Sequence, residues 1–73
     1  GMTTHDPAVA ALLRVRDDLD AARARYETKA AENRGSVMAY YSDFSSGLRT
    51  AINRVDKEIR LIEAEAHRAR LGL

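Results

Sequence analysis

The most regular pattern of apolar residues occupies the second half of the chain. Between positions 48 and 69 apolar residues recur at alternating steps of four and three, which places them along one narrow side of a single α-helix. This spacing is typical of helices that pack lengthwise against other helices. The predicted packing seam of helix 2 consists of Leu48, Ile52, Val55, Ile59, Ile62, Ala66 and Ala69.

A shorter pattern of the same kind precedes it and begins after Asp6-Pro7. Asp is a favoured N-cap, and Pro is well tolerated at the first helical position because its missing N–H would be unpaired there anyway. We therefore place helix 1 at about residues 7–33. Its predicted seam consists of Leu12, Val15, Leu19, Ala22 and Tyr26.

The two patterns are separated by a short turn at residues 34–36. Gly35 can adopt the left-handed conformation that ends a helix, and Ser36 can cap the helix that follows. Helix 2 is then expected at about residues 37–70. Small and polar residues at 42–47 disfavour a helix interior, so this segment is either a kink in a continuous helix or a break. We prefer the continuous helix.

Two long helices joined by three residues must run antiparallel, so the predicted fold is an all-α helical hairpin that forms one domain, residues 6–73. A chain of 73 residues without cysteine has a small core and no disulfide to stabilise it. Apolar residues also lie off the seams, with Val9 and Leu13 beside the helix 1 seam and Leu61 opposite the helix 2 seam. These features predict a homodimer in which two hairpins form a four-helix bundle or coiled coil.

The composition narrows the choice of partners. Twelve Lys and Arg against eleven Asp and Glu leave a formal net charge of +1, which is small for strong non-specific binding to nucleic acids or membranes. No stretch approaches the roughly 20 apolar residues that cross a bilayer, and residues 1–13 do not resemble a targeting signal. We expect a cytoplasmic protein whose residues 1–5 are disordered, with Gly1 as a scar left by cloning.

Residues that carry chemistry are sparse. The only two histidines are His5 and His67, with Glu63 one turn before the second, and they lack the paired spacing of a metal site. The serines of residues 42–46 lack a nearby histidine and the motifs of nucleophile elbows and phosphate-binding loops. We therefore expect no catalytic residue, no metal and no cofactor, and we predict that the protein is not an enzyme.

All four aromatic residues should meet at the turn end of the hairpin. Aromatic side chains there either cap a bundle core or bind another protein, because a tyrosine can bury its ring and still hydrogen-bond through its hydroxyl. The candidate partner-binding patch consists of Val37, Tyr40, Tyr41 and Phe44, next to Tyr26 of the helix 1 seam.

Charged residues alternate in sign along both helices, which is typical of solvated helix faces with ion pairs. Near the turn basic residues are in excess, and the candidate nucleic-acid contacts are Arg23, Arg25, Lys29 and Arg34. The sequence predicts a small protein–protein interaction or structural adaptor module that associates with itself and with an unidentified protein. The alternative is a nucleic-acid-binding helical bundle that uses the basic patches of the dimer.

Overall fold

The computed structural model describes residues 6–72, which form two helices, α1 (Pro7–Ala31) and α2 (Gly35–Arg70). Helix covers 91% of this part of the chain, which contains no strand. The helices pack antiparallel, since Arg16 of α1 reaches Asp56 while Glu27, further along α1, reaches Ser45. The predicted all-α hairpin is therefore confirmed. The expected disorder of residues 1–5 lies outside the described residues.

The hairpin is long and flat. Its Cα radius of gyration is 16.8 Å and its extents are 56 × 24 × 12 Å. A compact domain of this length would have a radius of gyration of about 11 Å. The difference follows from the architecture, because a single layer of two helices leaves both broad sides of the hairpin open to a further contact.

The start of α1 follows the prediction and its end comes two residues early. The Asp6 carboxylate accepts a hydrogen bond of 2.7 Å from the Ala8 N–H, and Pro7 occupies the first helical position. At the other end the Asn33 side-chain amide donates to the Lys29 carbonyl at 2.7 Å. That carbonyl would accept the Asn33 backbone N–H if the helix continued, so the side chain competes with the helix and ends it.

The turn is shifted towards the N-terminus relative to its predicted place. It occupies residues 32–34, and α2 begins at Gly35, which has a φ of +64°. The left-handed glycine predicted here is confirmed, but it opens α2 instead of closing α1. Arg34 is the N-cap and its side chain makes no capping hydrogen bond. The prediction that Ser36 caps this helix is therefore wrong, because the helix already includes it.

Helix α2 runs without a break through residues 42–47. The preferred continuous helix is confirmed, and the alternative break does not occur. Ser45 is the reason that the polar segment can lie on a seam, since its buried hydroxyl donates to a carboxylate oxygen of Glu27 at 3.1 Å. A polar group buried between helices costs little when it has such a partner.

The seam of α2 faces α1 as predicted over most of its length. Its predicted members from Leu48 to Ala66 are buried or half-buried, with Ile59 only 7% exposed. Ala69 is the exception and is exposed. The contact between Arg16 and Asp56 places the start of α1 level with about residue 65, so Ala69 extends beyond the helix that would cover it.

The seam of α1 is rotated relative to the prediction. Leu12, Leu19 and Tyr26 do lie towards α2, but Val15 is 46% exposed and its assignment to the hairpin seam is wrong. At this level of the seam Arg16 faces α2 instead and forms an ion pair with Asp56. Ala22, another predicted seam residue, is half-buried and lies on the same side of α1 as Val15, so it is displaced from the seam as well. Val9, predicted to lie beside the seam, is the most buried side chain of the described residues, at 1% exposure. Burying Val9 turns the helix so that Val15 faces outward.

Candidate interaction surface

The two broad sides of the hairpin differ in chemistry, and one of them is held by ion pairs. On this polar face an Arg16 Nη and an Asp56 Oδ are 3.2 Å apart. Further towards the turn, Glu27 accepts hydrogen bonds from the Ser45 hydroxyl at 3.1 Å and from Arg49 at 2.6 Å. These contacts join α1 to α2 at two levels and fix the register of the hairpin.

Glu27 is the centre of the polar face. The Arg23 guanidinium lies 2.8 Å from its other carboxylate oxygen and forms an i, i+4 ion pair of the kind that the alternating charges indicate. Hydrogen bonds from Arg23 and then from Arg49 hold the pKa of Glu27 below its ordinary value, and the Ser45 hydroxyl acts in the same direction. Asp20 and Glu27 in turn raise the pKa of Arg23. The carboxylate therefore stays ionised and its partners stay in place at neutral pH.

The opposite side carries the aromatic residues, which meet at the turn end as predicted. The ring of Tyr26 stacks on Phe44 at 4.9 Å and on Tyr41 at 5.9 Å between centroids. Tyr40 packs edge-on against Tyr41 at 5.3 Å and against Phe44 at 5.5 Å. The Lys29 amine lies 5.9 Å from the Tyr41 ring. One tyrosine of α1 thus supports a platform of three aromatic residues on α2.

Tyr40 and Phe44 of this platform belong to a longer stripe on the outside of α2, which we call the α2 outer stripe. Its residues follow steps of three and four and so share one side of the helix. In its first half the stripe is apolar, and Tyr40 is 58% and Phe44 45% exposed. The α2 outer stripe consists of Val37, Tyr40, Phe44, Gly47, Ala51, Arg54, Glu58, Leu61 and Glu65.

A matching stripe lies on α1 on the same side of the hairpin, as the stacking of Tyr26 on Phe44 shows. Val15 and Ala22 precede Tyr26 on this side of the helix at helical spacing. The α1 outer stripe consists of Ala8, Ala11, Val15, Asp18, Ala22, Arg25 and Lys29. Together the two outer stripes form what we call the apolar face. Among residues 6–72 the cross-helix ion pairs lie on the other broad side of the hairpin.

The apolar face contains a shallow groove near the turn end, with a volume of about 440 Å³. Its walls are mainly apolar, and Gly47 leaves one part of the helix surface bare. An open depression next to exposed aromatic rings is the kind of place that an apolar side chain of another molecule fills. The groove is lined by Tyr40, Asp43, Phe44, Gly47 and Leu48.

The candidate partner-binding patch is only partly available. Val37, Tyr40 and Phe44 are exposed on the apolar face, whereas Tyr41 is half-buried beneath Tyr26. Gly47 and Ala51 also belong to this surface, although they were not among the predicted residues. Their spacing from Phe44 was the available signal, because Val37 to Ala51 follows the same steps of three and four as the seam.

The candidate nucleic-acid contacts are not brought together in one patch. Arg23 lies on the polar face, where its guanidinium is within 2.9 Å of Asp20 and 2.8 Å of Glu27. Arg25 and Lys29 belong to the apolar face, and Arg34 is the N-cap of α2. The four residues thus divide between two sides of the hairpin and its end.

No group of three or more potential metal ligands occurs among residues 6–72. His67 is exposed near the end of α2, and His5 lies outside the described residues.

Neither α1 nor α2 has a stretch that is apolar enough, over the length needed, to cross a membrane. Comparison of the chain with protein-family models, curated proteins and solved structures finds no match.

Proposed function

We propose that this protein is a small helical interaction module that works by self-association, with two hairpins forming a four-helix bundle through their apolar faces. Its role is structural or that of an adaptor for another protein, without catalysis or a cofactor of its own. The observation that carries the proposal is the exposure of the apolar face. The opposite side of the hairpin differs from it, because it carries the ion pairs that join α1 to α2.

The hairpin core is small for a folded domain. Among residues 6–72 only two apolar side chains are buried, Val9 and Ile59. Domains of this size bury little surface, and helical hairpins gain stability mainly from packing of their apolar stripes. Covering the apolar face would bury Val15, Tyr40 and Phe44, which are exposed in the single hairpin. Removing their apolar surface from water would stabilise the dimer. A second hairpin supplies a surface of the same length for this purpose.

Sedimentation equilibrium over about 1–200 μM tests the proposal, because this range spans the affinities of ordinary helical dimers. We expect a reversible dimer. Phe44→Glu places a charge on the apolar face and should weaken the dimer at least about tenfold, since burying an unpaired charge is costly. Ser42→Glu is the matched control, because Ser42 is exposed on the same helix but lies off the α2 outer stripe.

The two variants separate the apolar face from general effects of added charge. If Ser42→Glu weakened the dimer as much as Phe44→Glu, the apolar face would not be the contact surface. A wild-type protein that stayed monomeric and cooperatively folded across the whole range would exclude self-association.

A further inference from the structure

We infer that the second copy covers the apolar face in an antiparallel arrangement, with the turn ends of the two hairpins at opposite ends of the bundle. This inference rests on the proposed self-association and specifies its geometry. The two-fold axis would cross α1 between Val15 and Ala22. The cross-helix contacts of Arg16 and Glu27 place that point level with about residues 53–54 of α2. Each helix then lies on the same helix of the other copy.

Leu61 fits the groove of a second copy in this arrangement. Leu61 is 50% exposed and belongs to the same outer stripe as the groove residues Phe44 and Gly47. The axis at residues 53–54 relates position 61 to position 46, which lies between these two groove residues. An antiparallel two-fold axis at this level therefore brings Leu61 of each copy over the groove of the other. The dimer would thus contain two equivalent contacts, in each of which the exposed Leu61 side chain of one copy lies in the groove of the other.

The sizes of the side chains along α1 also suit this arrangement. Val15 is exposed on the α1 outer stripe, and Ala22 follows it by two turns of the helix. An axis between them sets Val15 of one copy against Ala22 of the other, so a larger side chain meets a smaller one. The same axis sets Tyr26 of one copy against Ala11 of the other. Alternation of large and small residues is what allows facing helices to interdigitate.

Charges on the apolar face are distributed unevenly along the hairpin. Arg25 and Lys29 lie near the turn, and Glu58 and Glu65 lie towards the open end. The remaining two charged residues of this face, Asp18 and Arg54, have opposite signs and lie near the axis. Antiparallel packing brings the basic end of one copy to the acidic end of the other. Parallel packing instead sets like charges at the same level, which is unfavourable. Within one hairpin Lys29 and Glu65 are about 35 Å apart along the axis, so these two charges come to the same level only between two copies.

Pulsed electron paramagnetic resonance on spin-labelled dimers tests this arrangement. The chain has no cysteine, so a single substitution gives a unique label. Ser36→Cys lies at the turn end and is exposed, off both outer stripes. Antiparallel packing predicts about 50 Å between the two labels, whereas parallel packing predicts about 20 Å or less. Asn53→Cys is the control, because its two labels should lie within about 30 Å in both arrangements.

The outcomes distinguish the inference from the proposed function. A long distance at Ser36→Cys together with a short distance at Asn53→Cys would support the antiparallel bundle. Short distances at both positions would overturn the antiparallel arrangement while leaving self-association intact. Absence of any dipolar coupling, with a monomer in sedimentation, would overturn the inference and the proposed function together.

Discussion

At the scale of single residues, Ile59 is the position where the fold is most sensitive. It is one of the two buried apolar side chains among residues 6–72 and lies in the middle of the α2 seam. We expect Ile59→Asp to abolish cooperative helical melting, because it removes apolar contacts worth about 2–5 kcal/mol and buries a charge in their place. Thermal unfolding followed by far-ultraviolet circular dichroism measures this.

Arg49→Ala is the control for that experiment. Arg49 is on the same helix and bonds Glu27, but its side chain is 60% exposed, and exposed ion pairs contribute little to stability. We expect a decrease of only a few degrees in melting temperature. If Ile59→Asp melted as cooperatively as Arg49→Ala, the α2 seam would not be the core of the hairpin.

Glu27 gives the fold a defined pH dependence. Its pKa is lowered in the folded hairpin by Arg23 and Arg49, so the ionised form is stabilised by folding. That stabilisation is fully present above the ordinary glutamate pKa of about 4.3 and is lost as the pH falls through the lower pKa of the folded state. We expect wild type to lose more stability than Glu27→Gln between about pH 5 and 3, in urea titrations at fixed protein concentration.

Glu27→Gln should therefore be less stable than wild type at pH 7, and the difference should narrow in acid. A difference that stayed constant from pH 7 to pH 3 would mean that the Glu27 charge does not contribute to folding.

At the scale of the helices, two glycines of α2 should respond to the same substitution in opposite ways. A Cβ at Gly35 or at Gly47 would meet no atom of the described chain within 4 Å. The effect of an alanine on stability therefore depends on the backbone conformation at each position. Gly35 has a φ of +64°, and Gly35→Ala should destabilise the hairpin by about 1–2 kcal/mol. Gly47 is in the helix interior, and Gly47→Ala should stabilise it by up to about 1 kcal/mol.

Urea unfolding at several protein concentrations, which separates the effect on folding from that on association, measures both changes. Because Gly47 lines the groove, its added methyl group should also weaken the dimer slightly. A destabilised Gly47→Ala hairpin in the dilute limit would contradict a regular helix at this position.

The helices also show what the sequence could and could not predict. The α2 seam was predictable because its apolar residues recur at alternating steps of four and three, and the start of α1 was predictable because Pro7 marks it. The rotation of α1 was not, because the positions that face α2 include Arg16 and Arg23. Charged residues interrupt the apolar pattern of a sequence. In the folded hairpin the aliphatic parts of these arginine side chains can pack between the helices, while their guanidinium groups form cross-helix or local ion pairs.

The candidate surface was predicted only at its aromatic end, for a related reason. Beyond Ala51 the α2 outer stripe becomes charged, so its apolar pattern spans only two heptads. Whether Val15 belonged to the hairpin or to this surface depends on which side of α1 buries Val9. That choice is made by packing between the helices, which local periodicity does not describe.

At the scale of the whole molecule, the apolar face and the small core together predict that folding and association are linked. If two hairpins associate as proposed, a monomer with so few buried apolar side chains gains much of its stability from the second copy, and the melting temperature should depend on protein concentration. Unfolding of a dimer of this size carries an enthalpy of about 100 kcal/mol, which gives an increase of about 5 °C for each tenfold increase in concentration.

Melting curves between about 2 and 200 μM should therefore differ by about 10 °C in midpoint. Phe44→Glu should show a smaller dependence and a lower midpoint, because its dimer is weaker, whereas Ser42→Glu should follow wild type. A midpoint that did not change with concentration would mean that the hairpin folds alone. The apolar face would then be a docking surface for a different protein, since its aromatic platform and groove would remain exposed in the folded monomer.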